Sequence, residues 1–197
     1  MTDYKKDWVG GFRSVVGCLG ASSHSSGERE INDFYATDPI AGEFLINLEK
    51  LNSNIWECAC GEGHLGKVFE AHGYNVKATD IIDRGYGQGG VDFLKCYEKF
   101  DGDIVTNPPY KYAEEFIKHS LSLIDDGNKV CMFLKVQFLE GKSRKKLFKN
   151  TPPSRVWVSS SRIKCGKNGV FGSSMVAYAW YVWEKGYKGD TILKWFN

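Results

Sequence analysis

The sequence predicts an α/β fold with a mostly parallel sheet and an antiparallel pair of strands at one edge. Between residues 54 and 148, short apolar segments of strand length alternate with amphipathic segments of helix length. That alternation is typical of parallel strands joined by crossover helices. Two further strand-like segments, 155–158 and 174–184, then follow each other with no helix between them. Strands joined without a crossover helix pair antiparallel, which places such a pair at the edge of the sheet.

Capping residues, apolar periodicity and turn residues predict the individual helices and strands. Asp38 and Pro39 are typical of an N-cap and first position of a helix, and apolar residues follow at helical spacing. Gly73 ends the second predicted helix. The predicted strands are 54–58, 75–79, 103–106 and 129–136, and the later predicted helices are 64–73, 113–123 and 143–148.

Composition favours one globular domain. The chain has 197 residues, of which 42% are hydrophobic and 14% aromatic, enough for a sizeable core. Residues 1–34 are rich in glycine and serine and show no clean period, so we expect an irregular arm followed by a single domain over 35–197. No apolar run has membrane-spanning length, no signal peptide is recognisable, and the six cysteines are dispersed. These features predict a cytoplasmic protein with free thiols and no metal site.

A glycine-rich turn follows the first predicted strand. Its pattern, Gly61-x-Gly63-x-x-Gly66, matches a nucleotide-binding fingerprint, and Asp80 follows the next strand at the distance expected of a ribose-binding carboxylate. Nicotinamide dinucleotides and S-adenosylmethionine both contain adenosine, so this motif alone fits either. Glu57, at the end of the first strand, is a candidate to receive the amino group of a methionine moiety. The alternative is a surface carboxylate at a strand end.

A second motif separates these possibilities. The strand 103–106 runs directly into Asn107-Pro108-Pro109-Tyr110. Two prolines fix the backbone and remove two N–H donors, so the segment presents carbonyl acceptors and oriented side chains. An asparagine oxygen and a neighbouring carbonyl can accept both hydrogens of an exocyclic amine, and the tyrosine ring offers a stacking surface for a planar base. Hydride transfer needs none of these groups, which disfavours a dehydrogenase.

The charge of the chain is unevenly distributed. Residues 141–197 contain 12 Lys or Arg and only 2 Asp or Glu, and no acidic residue occurs between Glu140 and Glu184. Such a segment suits a polyanionic partner, although a solvated basic face is the simpler alternative. The residues that we expect to contact nucleic acid are Lys145, Lys146, Arg162, Lys164 and Lys167.

These motifs together resemble the class I S-adenosylmethionine-dependent amino methyltransferases, specifically the small adenine-specific DNA methyltransferases of phages and prophages. The resemblance extends from about Leu19 onward and includes Glu57–Gly63, Val91–Leu94, Asn107–Tyr110 and Asn32–Pro39. It implies a Rossmann-like fold, S-adenosyl-L-methionine as cofactor, and methyl transfer to adenine N6 in DNA after base flipping.

The same resemblance implies roles for individual residues. Tyr35 and Thr37 would contact the methionine end of the cofactor, Asp92 would accept from its adenine amino group, and Phe93 would pack on the adenine ring. The expected catalytic residues are Asn107, Pro108, Pro109 and Tyr110. The expected cofactor-binding residues are Tyr35, Thr37, Glu57, Cys58, Ala59, Cys60, Gly61, Gly63, Asp80, Ile81, Asp92, Phe93 and Asn107.

One departure from the larger members of that family concerns target choice. They carry a separate target-recognition domain, whereas only about forty-five residues lie between the two motifs here. Target choice is therefore expected to fall to the N-terminal arm and the basic loops, with DNA as the partner. Three alternatives remain open: an RNA base as acceptor, a protein glutamine amide as acceptor, and a non-catalytic nucleic-acid-binding subunit.

Overall fold

The structure is a computed structural model that describes residues 36–161, 163, 165–166 and 176–196. The arm 1–34 lies outside the described residues, as do four predicted site residues, Tyr35, Arg162, Lys164 and Lys167. The strands are β1 (Ala36–Thr37), β2 (Asn54–Glu57), β3 (Asn75–Ala78), β4 (Asp103–Thr106), β5 (Lys129–Lys135), β6 (Arg155–Ser159), β7 (Cys165–Gly166), β8 (Tyr178–Glu184) and β9 (Ile192–Phe196). The α-helices are α1 (Ile40–Leu48), α2 (Gly66–Ala71), α3 (Ala113–Leu123) and α4 (Lys145–Asn150), and short 3₁₀ turns cover Phe93–Lys95, Tyr110–Tyr112, Val136–Leu139 and Lys142–Arg144.

A seven-stranded sheet of order β3-β2-β4-β5-β8-β6-β9 forms the centre of the described part of the chain. Only β8 runs against its neighbours, pairing antiparallel with both β5 and β6. The predicted α/β class, with its mostly parallel sheet and antiparallel pair, is thereby confirmed. The pair does not form the border itself, because β9 pairs parallel with β6 and extends the sheet by one strand.

Alternating side chains of β5 divide the core into two layers. Val130, Met132 and Leu134 pack on one face of the sheet with residues of α3 and α4. Cys131 and Phe133 pack on the other face with residues of α1 and α2. Since β5 is buried on both faces, it contains a continuous apolar run rather than an alternating pattern.

The helix α3 shows how local sequence defines an element that positions the site. Its buried residues recur at helical spacing, and Glu114 and Glu115 lie in the first turn, where the helix dipole favours negative charge. Glu114 also forms an i,i+4 ion pair with Lys118, at 2.6 Å between Oε1 and Nζ. This helix follows the predicted catalytic segment directly and anchors its C-terminal end.

The order of the strands brings the predicted site residues to one edge of the sheet. Strand β2 lies between β3 and β4 and is parallel to both, so their carboxyl ends meet at the same edge. Glu57 ends β2, Asp80 follows β3, and Asn107 follows β4. Neighbouring strands are about 4.8 Å apart. Residues distant in the sequence therefore meet at the carboxyl edge, as the strand pattern predicted.

Candidate active site

Asp80 organises the glycine-rich turn. Its Oδ2 accepts from the backbone N–H of Gly61 at 2.8 Å, and its Oδ1 accepts from the N–H of Ile82 at 2.9 Å. Arg84 Nη1 lies 3.3 Å from Oδ1. A carboxylate has about four acceptor positions, so these three donors leave one position for a ribose hydroxyl. Asp80 thus fits a ribose-binding role while it also holds the turn in place.

Glu57 is buried beneath this turn with one oxygen unsatisfied. The side chain is only 2% exposed, and its Oε2 has no hydrogen-bond partner among the described residues. Burial raises the pKa of this carboxyl well above its usual range, and the negative charges of Asp80 and Glu70 raise it further. A hydrogen bond from the backbone N–H of Gly66 acts in the opposite direction. An unsatisfied buried carboxylate oxygen is costly and indicates a missing donor.

Tyr86, in the loop after Asp80, packs closely against the glycine-rich turn because the glycines have no side chain. A Cβ on Gly63, where φ is +80°, would overlap the Tyr86 ring, and a Cβ on Gly66 would overlap its hydroxyl. The loop is tied to the turn by a contact of 3.4 Å from Cys60 Sγ to the carbonyl oxygen of Tyr86. In this structure both glycines are therefore required by a packed tyrosine.

The thiols of the turn are neutral groups. Burial raises the pKa of Cys58 well above its usual range and that of Cys60 to about 12, and the charge of Glu57 adds to both shifts. Thiols of this kind are poor metal ligands, since a metal binds the thiolate. No cluster of three or more residues suited to a metal ion occurs among the described residues.

The residues expected to surround adenine have different environments. Ile81 is 56% exposed, an unusual position for an isoleucine. Asp92 Oδ1 accepts from the N–H of Leu94 at 3.2 Å, while Lys95 Nζ lies 2.9 Å from Oδ2. Phe93 is only 2% exposed and packs in the core against Trp56 and Phe116, with ring centroids at 5.2 and 5.0 Å. A contact between Phe93 and the cofactor stays a prediction.

Asn107 is joined to the start of the described chain. Its Nδ2 donates to Thr37 Oγ1 at 2.9 Å, so Oδ1 lies on the other side of the amide. Thr37 is buried and pairs with Cys165 through the antiparallel strands β1 and β7. The small β1–β7 sheet thus fixes the orientation of the asparagine, and it brings together the segment expected at the cofactor and the segment expected to be catalytic.

Tyr110 lies with its ring partly exposed and its hydroxyl directed inward. Burial raises the pKa of this phenol well above its usual range, and nearby Cys165 and Tyr178 raise it further. Lys135 Nζ lies 4.7 Å from the centroid of the ring, within the range of a cation–π contact. The ring is therefore held at its hydroxyl end and carries a cation near one face.

The basic segment contains two kinds of side chain. Lys145 and Lys146 are exposed on α4, with Leu147 buried beneath them. Arg144 donates to the carbonyl oxygens of Gln137 and Phe138, and Arg155 pairs with Glu49, so these two arginines have structural roles. Only part of the acid-free stretch is thus available to a polyanion.

Sequence reasoning missed three residues that contact this site. Lys135 ends β5 at the same edge, so its position at a strand end was a usable signal. Tyr86 gave a weaker one, as an aromatic residue within a glycine-rich loop. Tyr178 reaches the site from the antiparallel strand β8 and carries no local signal.

Comparison with solved structures places this architecture in a known fold. A protein from Listeria monocytogenes assigned to the class I S-adenosylmethionine-dependent methyltransferases is 14% identical, with a TM-score of 0.60 over 93% of this chain and 72% of that chain. A Pyrococcus horikoshii protein named as an RNA methyltransferase is 12% identical, with a TM-score of 0.58 over 87% and 98%. A modification subunit assigned to a type I restriction enzyme of Vibrio vulnificus is 14% identical, with a TM-score of 0.55 over 91% and 49%.

The chain therefore has the fold of the class I S-adenosylmethionine-dependent methyltransferases. No protein-family model matches it, and no curated protein matches its sequence. Among the described residues, no helix is long and apolar enough to cross a membrane.

Proposed function

We propose that this chain transfers a methyl group from S-adenosylmethionine to the exocyclic N6 amino group of adenine in DNA, with the base turned out of the duplex. One observation carries the proposal: Asn107, at the carboxyl end of β4, is oriented by its hydrogen bond to Thr37. It stands one strand away from Glu57 and the glycine turn.

The asparagine amide supplies the chemistry that the acceptor needs. With Nδ2 turned to Thr37, Oδ1 is the atom directed toward a substrate amine, and the carbonyl of Pro108 is the second acceptor. Bonds to both amine hydrogens raise the electron density on nitrogen and stabilise its positive charge as the methyl group arrives. S-adenosylmethionine would supply an electrophilic methyl group and depart as the thioether S-adenosylhomocysteine. The methylated nitrogen would then lose its proton to solvent, so no general base is required before transfer.

Four groups at the same edge fit the cofactor. Asp80 retains one acceptor position for a ribose hydroxyl, and the exposed Ile81 offers an apolar surface that an adenine ring can cover. The Asp92 carboxylate can accept from the adenine amino group, and the unsatisfied Oε2 of Glu57 suits the methionine ammonium group.

Tyr110 is the proposed stacking surface for the target base. Lys135 now lies near one face of its ring. If the base stacks on that face, the flexible Lys135 side chain must move away from the ring. The ammonium group of Lys135 then becomes available to a phosphate of the flipped nucleotide. Stacking on an aromatic ring contributes about 1–3 kcal/mol per base.

Two observations support a nucleic acid as substrate, and DNA is the favoured one. The exposed lysines of α4 suit phosphates. Two proteins of restriction systems have a similar fold: the Vibrio vulnificus modification subunit and the type IIG restriction endonuclease BpuSI, which is 17% identical with a TM-score of 0.54 over 80% of this chain and 26% of that chain. RNA is the second candidate, because the Pyrococcus horikoshii protein named as an RNA methyltransferase has a similar fold.

Label transfer tests the acceptor. The protein is incubated with tritiated cofactor in three parallel reactions, which contain adenine-containing duplex DNA, RNA or a protein extract. The methylated product is then identified by mass spectrometry. We expect label in DNA as N6-methyladenine, and none with duplexes in which every adenine is replaced by purine. Label confined to RNA or to glutamine amides would replace the proposed substrate, and cofactor binding without transfer to any acceptor would indicate a non-catalytic subunit.

A further inference from the structure

Two buried polar atoms lie close together beneath the glycine turn. Neither has a hydrogen-bond partner of ordinary length and angle among the described residues. They are Oε2 of Glu57 and the hydroxyl oxygen of Tyr86. Both lie next to the position that a Cβ on Gly66 would occupy, so the two atoms are close neighbours. A folded protein rarely leaves two such atoms unsatisfied in one place.

The electrostatics of this place are negative. Burial raises the pKa of the Tyr86 phenol above its usual range, and the charges of Glu57 and Glu70 and a contact of the hydroxyl with the Glu70 carboxylate raise it further. A hydroxyl that donates to Glu70 keeps its oxygen as an acceptor. Asp80 and Glu70 also act on Glu57. Among the described residues, Lys67 places its Nζ 5.3 Å from the ring centroid, and this Nζ already donates to the carbonyl oxygen of Glu62 at 2.9 Å. Both buried oxygens can accept a hydrogen bond, and the field around them favours a positive donor.

We propose that Tyr86 and Glu57 together bind the ammonium group of the cofactor's methionine moiety. The inference rests on the proposed function and adds to it a residue that the sequence motifs do not identify. An ammonium group has three N–H donors, so it satisfies both oxygens at once and brings the missing positive charge.

The loop around Tyr86 allows the small outward movement that entry requires. Gly85 and Gly87 flank the tyrosine with φ values of +79° and +67°, a region that glycine adopts without strain. No heavy atom of the described residues lies within 4 Å of a Cβ position on Gly85, so that side of the loop is open, whereas Gly87 packs against Ala78 and fixes the other end. The turn itself is fixed by Asp80, so Tyr86 is the part of this site that can adjust.

Comparison of two ligands isolates the methionine end of the cofactor. S-adenosylmethionine carries the methionine moiety, whereas 5′-methylthioadenosine lacks its amino and carboxyl groups and the sulfonium charge. We expect Tyr86→Phe, which keeps the ring and removes the hydroxyl, to weaken S-adenosylmethionine binding about tenfold in calorimetry. Binding of 5′-methylthioadenosine should be unchanged. Glu57→Gln should show the same selectivity, and the matched control Tyr74→Phe, on a tyrosine outside the site, should alter neither affinity.

The outcomes separate this inference from the proposed function. If the wild-type protein binds both ligands and Tyr86→Phe binds them as the wild type does, the inference is wrong while the proposed function stands. Tighter binding of S-adenosylmethionine by Tyr86→Phe would also overturn it, since Tyr86 would then obstruct the site. A wild-type protein that binds neither ligand overturns the proposed function together with the inference.

Discussion

The two edges of the central sheet bury carboxylates in opposite ways. At the amino edge, Asp103 accepts from the backbone N–H groups of Asn52 and Lys129 at 2.7 and 2.6 Å. Glu49 lies nearby and accepts from Trp157 Nε1 at 2.8 Å, while Arg155 Nη2 donates to its other oxygen at 3.0 Å. Each of these carboxylate oxygens has a donor, so the amino edge is complete within the protein.

At the carboxyl edge the same kind of group is incomplete. Glu57 is as well buried as Asp103, at 2% exposure each, yet no described residue donates to its Oε2. Burial alone therefore does not distinguish a structural carboxylate from a functional one. The distinction lies in whether the protein supplies all the hydrogen bonds, or leaves one to a ligand.

The largest expected effect is a difference in stability between the two edges. Glu49→Gln removes the charge that pairs with Arg155 and Lys129, and breaking a buried ion pair costs about 3–5 kcal/mol. Glu57→Gln should leave the free energy of unfolding at pH 7 equal to or above that of the wild type, because the amide resembles the protonated acid and carries no charge that burial penalises. Urea unfolding at pH 7 measures both. Equal losses of unfolding free energy in the two variants would contradict the proposed difference between the edges.

The pH dependence of stability should differ in the same way. Burial acts to raise the pKa of Glu49, but hydrogen bonds from Arg155, Trp157 and Lys129 outweigh it and lower the pKa below the usual 4.5. The stability that Glu49 contributes is thus present above pH 4.5 and lost as pH falls through its lowered pKa. The pKa of Glu57 is raised, so stability is lost as pH rises from 4.5 through that raised pKa. Glu57→Gln should abolish the loss of stability at rising pH and leave the loss at falling pH, which depends on Glu49, unchanged.

The next effect concerns Tyr110. Tyr110→Ala should weaken DNA binding by about 1–3 kcal/mol and slow turnover, because the stacking surface for the base is removed. Tyr110→Phe should retain much of the activity, since the ring face is the proposed working part. Equilibrium binding and initial rates check both variants. A phenylalanine variant as inactive as the alanine variant would assign the role to the hydroxyl group beside Tyr178 and Cys165.

Asp80 should affect cofactor affinity. Asp80→Ala removes the proposed ribose acceptor and the bond that holds Gly61, so S-adenosylmethionine should bind at least about tenfold more weakly, or 1.4 kcal/mol. Asp83→Ala, three residues along the chain, serves as the control and should leave the affinity unchanged. If calorimetry shows the reverse pattern, Asp83 is the ribose-binding residue.

The smallest expected effect concerns the basic surface of α4. Replacing Lys145 and Lys146 with alanine should flatten the salt dependence of DNA affinity by about 0.9 in log–log slope for each phosphate that the variant no longer neutralises. The matched control replaces the exposed Lys50 and Lys188, which lie at the amino edge, and should leave the slope unchanged. A wild-type affinity that does not depend on salt would disfavour a nucleic acid and favour the protein glutamine.

Much of the fold could be predicted because its elements have strong local signals. The strand Asp103–Thr106 and the helix Ala113–Leu123 occur where the apolar pattern placed them. Strand β9 was missed because four of its five residues are exposed and it therefore lacks a buried alternation. The predicted helix near Ser143 is instead a 3₁₀ turn at Lys142–Arg144 followed by α4, since helix boundaries depend on local packing.

The site was predictable where it follows strand ends, and less so where tertiary contacts form it. Glu57, Asp80 and Asn107 each lie at or just after a strand end, so the parallel order alone brings them together. The bond from Asn107 to Thr37 joins residues 70 apart in the sequence. The contact of Tyr86 with Gly63 and Gly66 depends on the path of a loop, which neither period nor motif specifies.

The most direct test of the central claim compares two asparagines, one at each edge. Asn107→Ala removes the proposed acceptor, whereas Asn52→Ala removes an amide that donates to Asn128 at 3.0 Å. Single-turnover methyl transfer to DNA, measured beside cofactor and DNA affinity, separates chemistry from binding. We expect Asn107→Ala to bind both nearly normally and to transfer methyl groups about 10²–10³ times more slowly, by analogy with loss of an oxyanion-hole donor. Asn52→Ala should transfer at the wild-type rate, and an Asn107→Ala protein that does so too would contradict the claim.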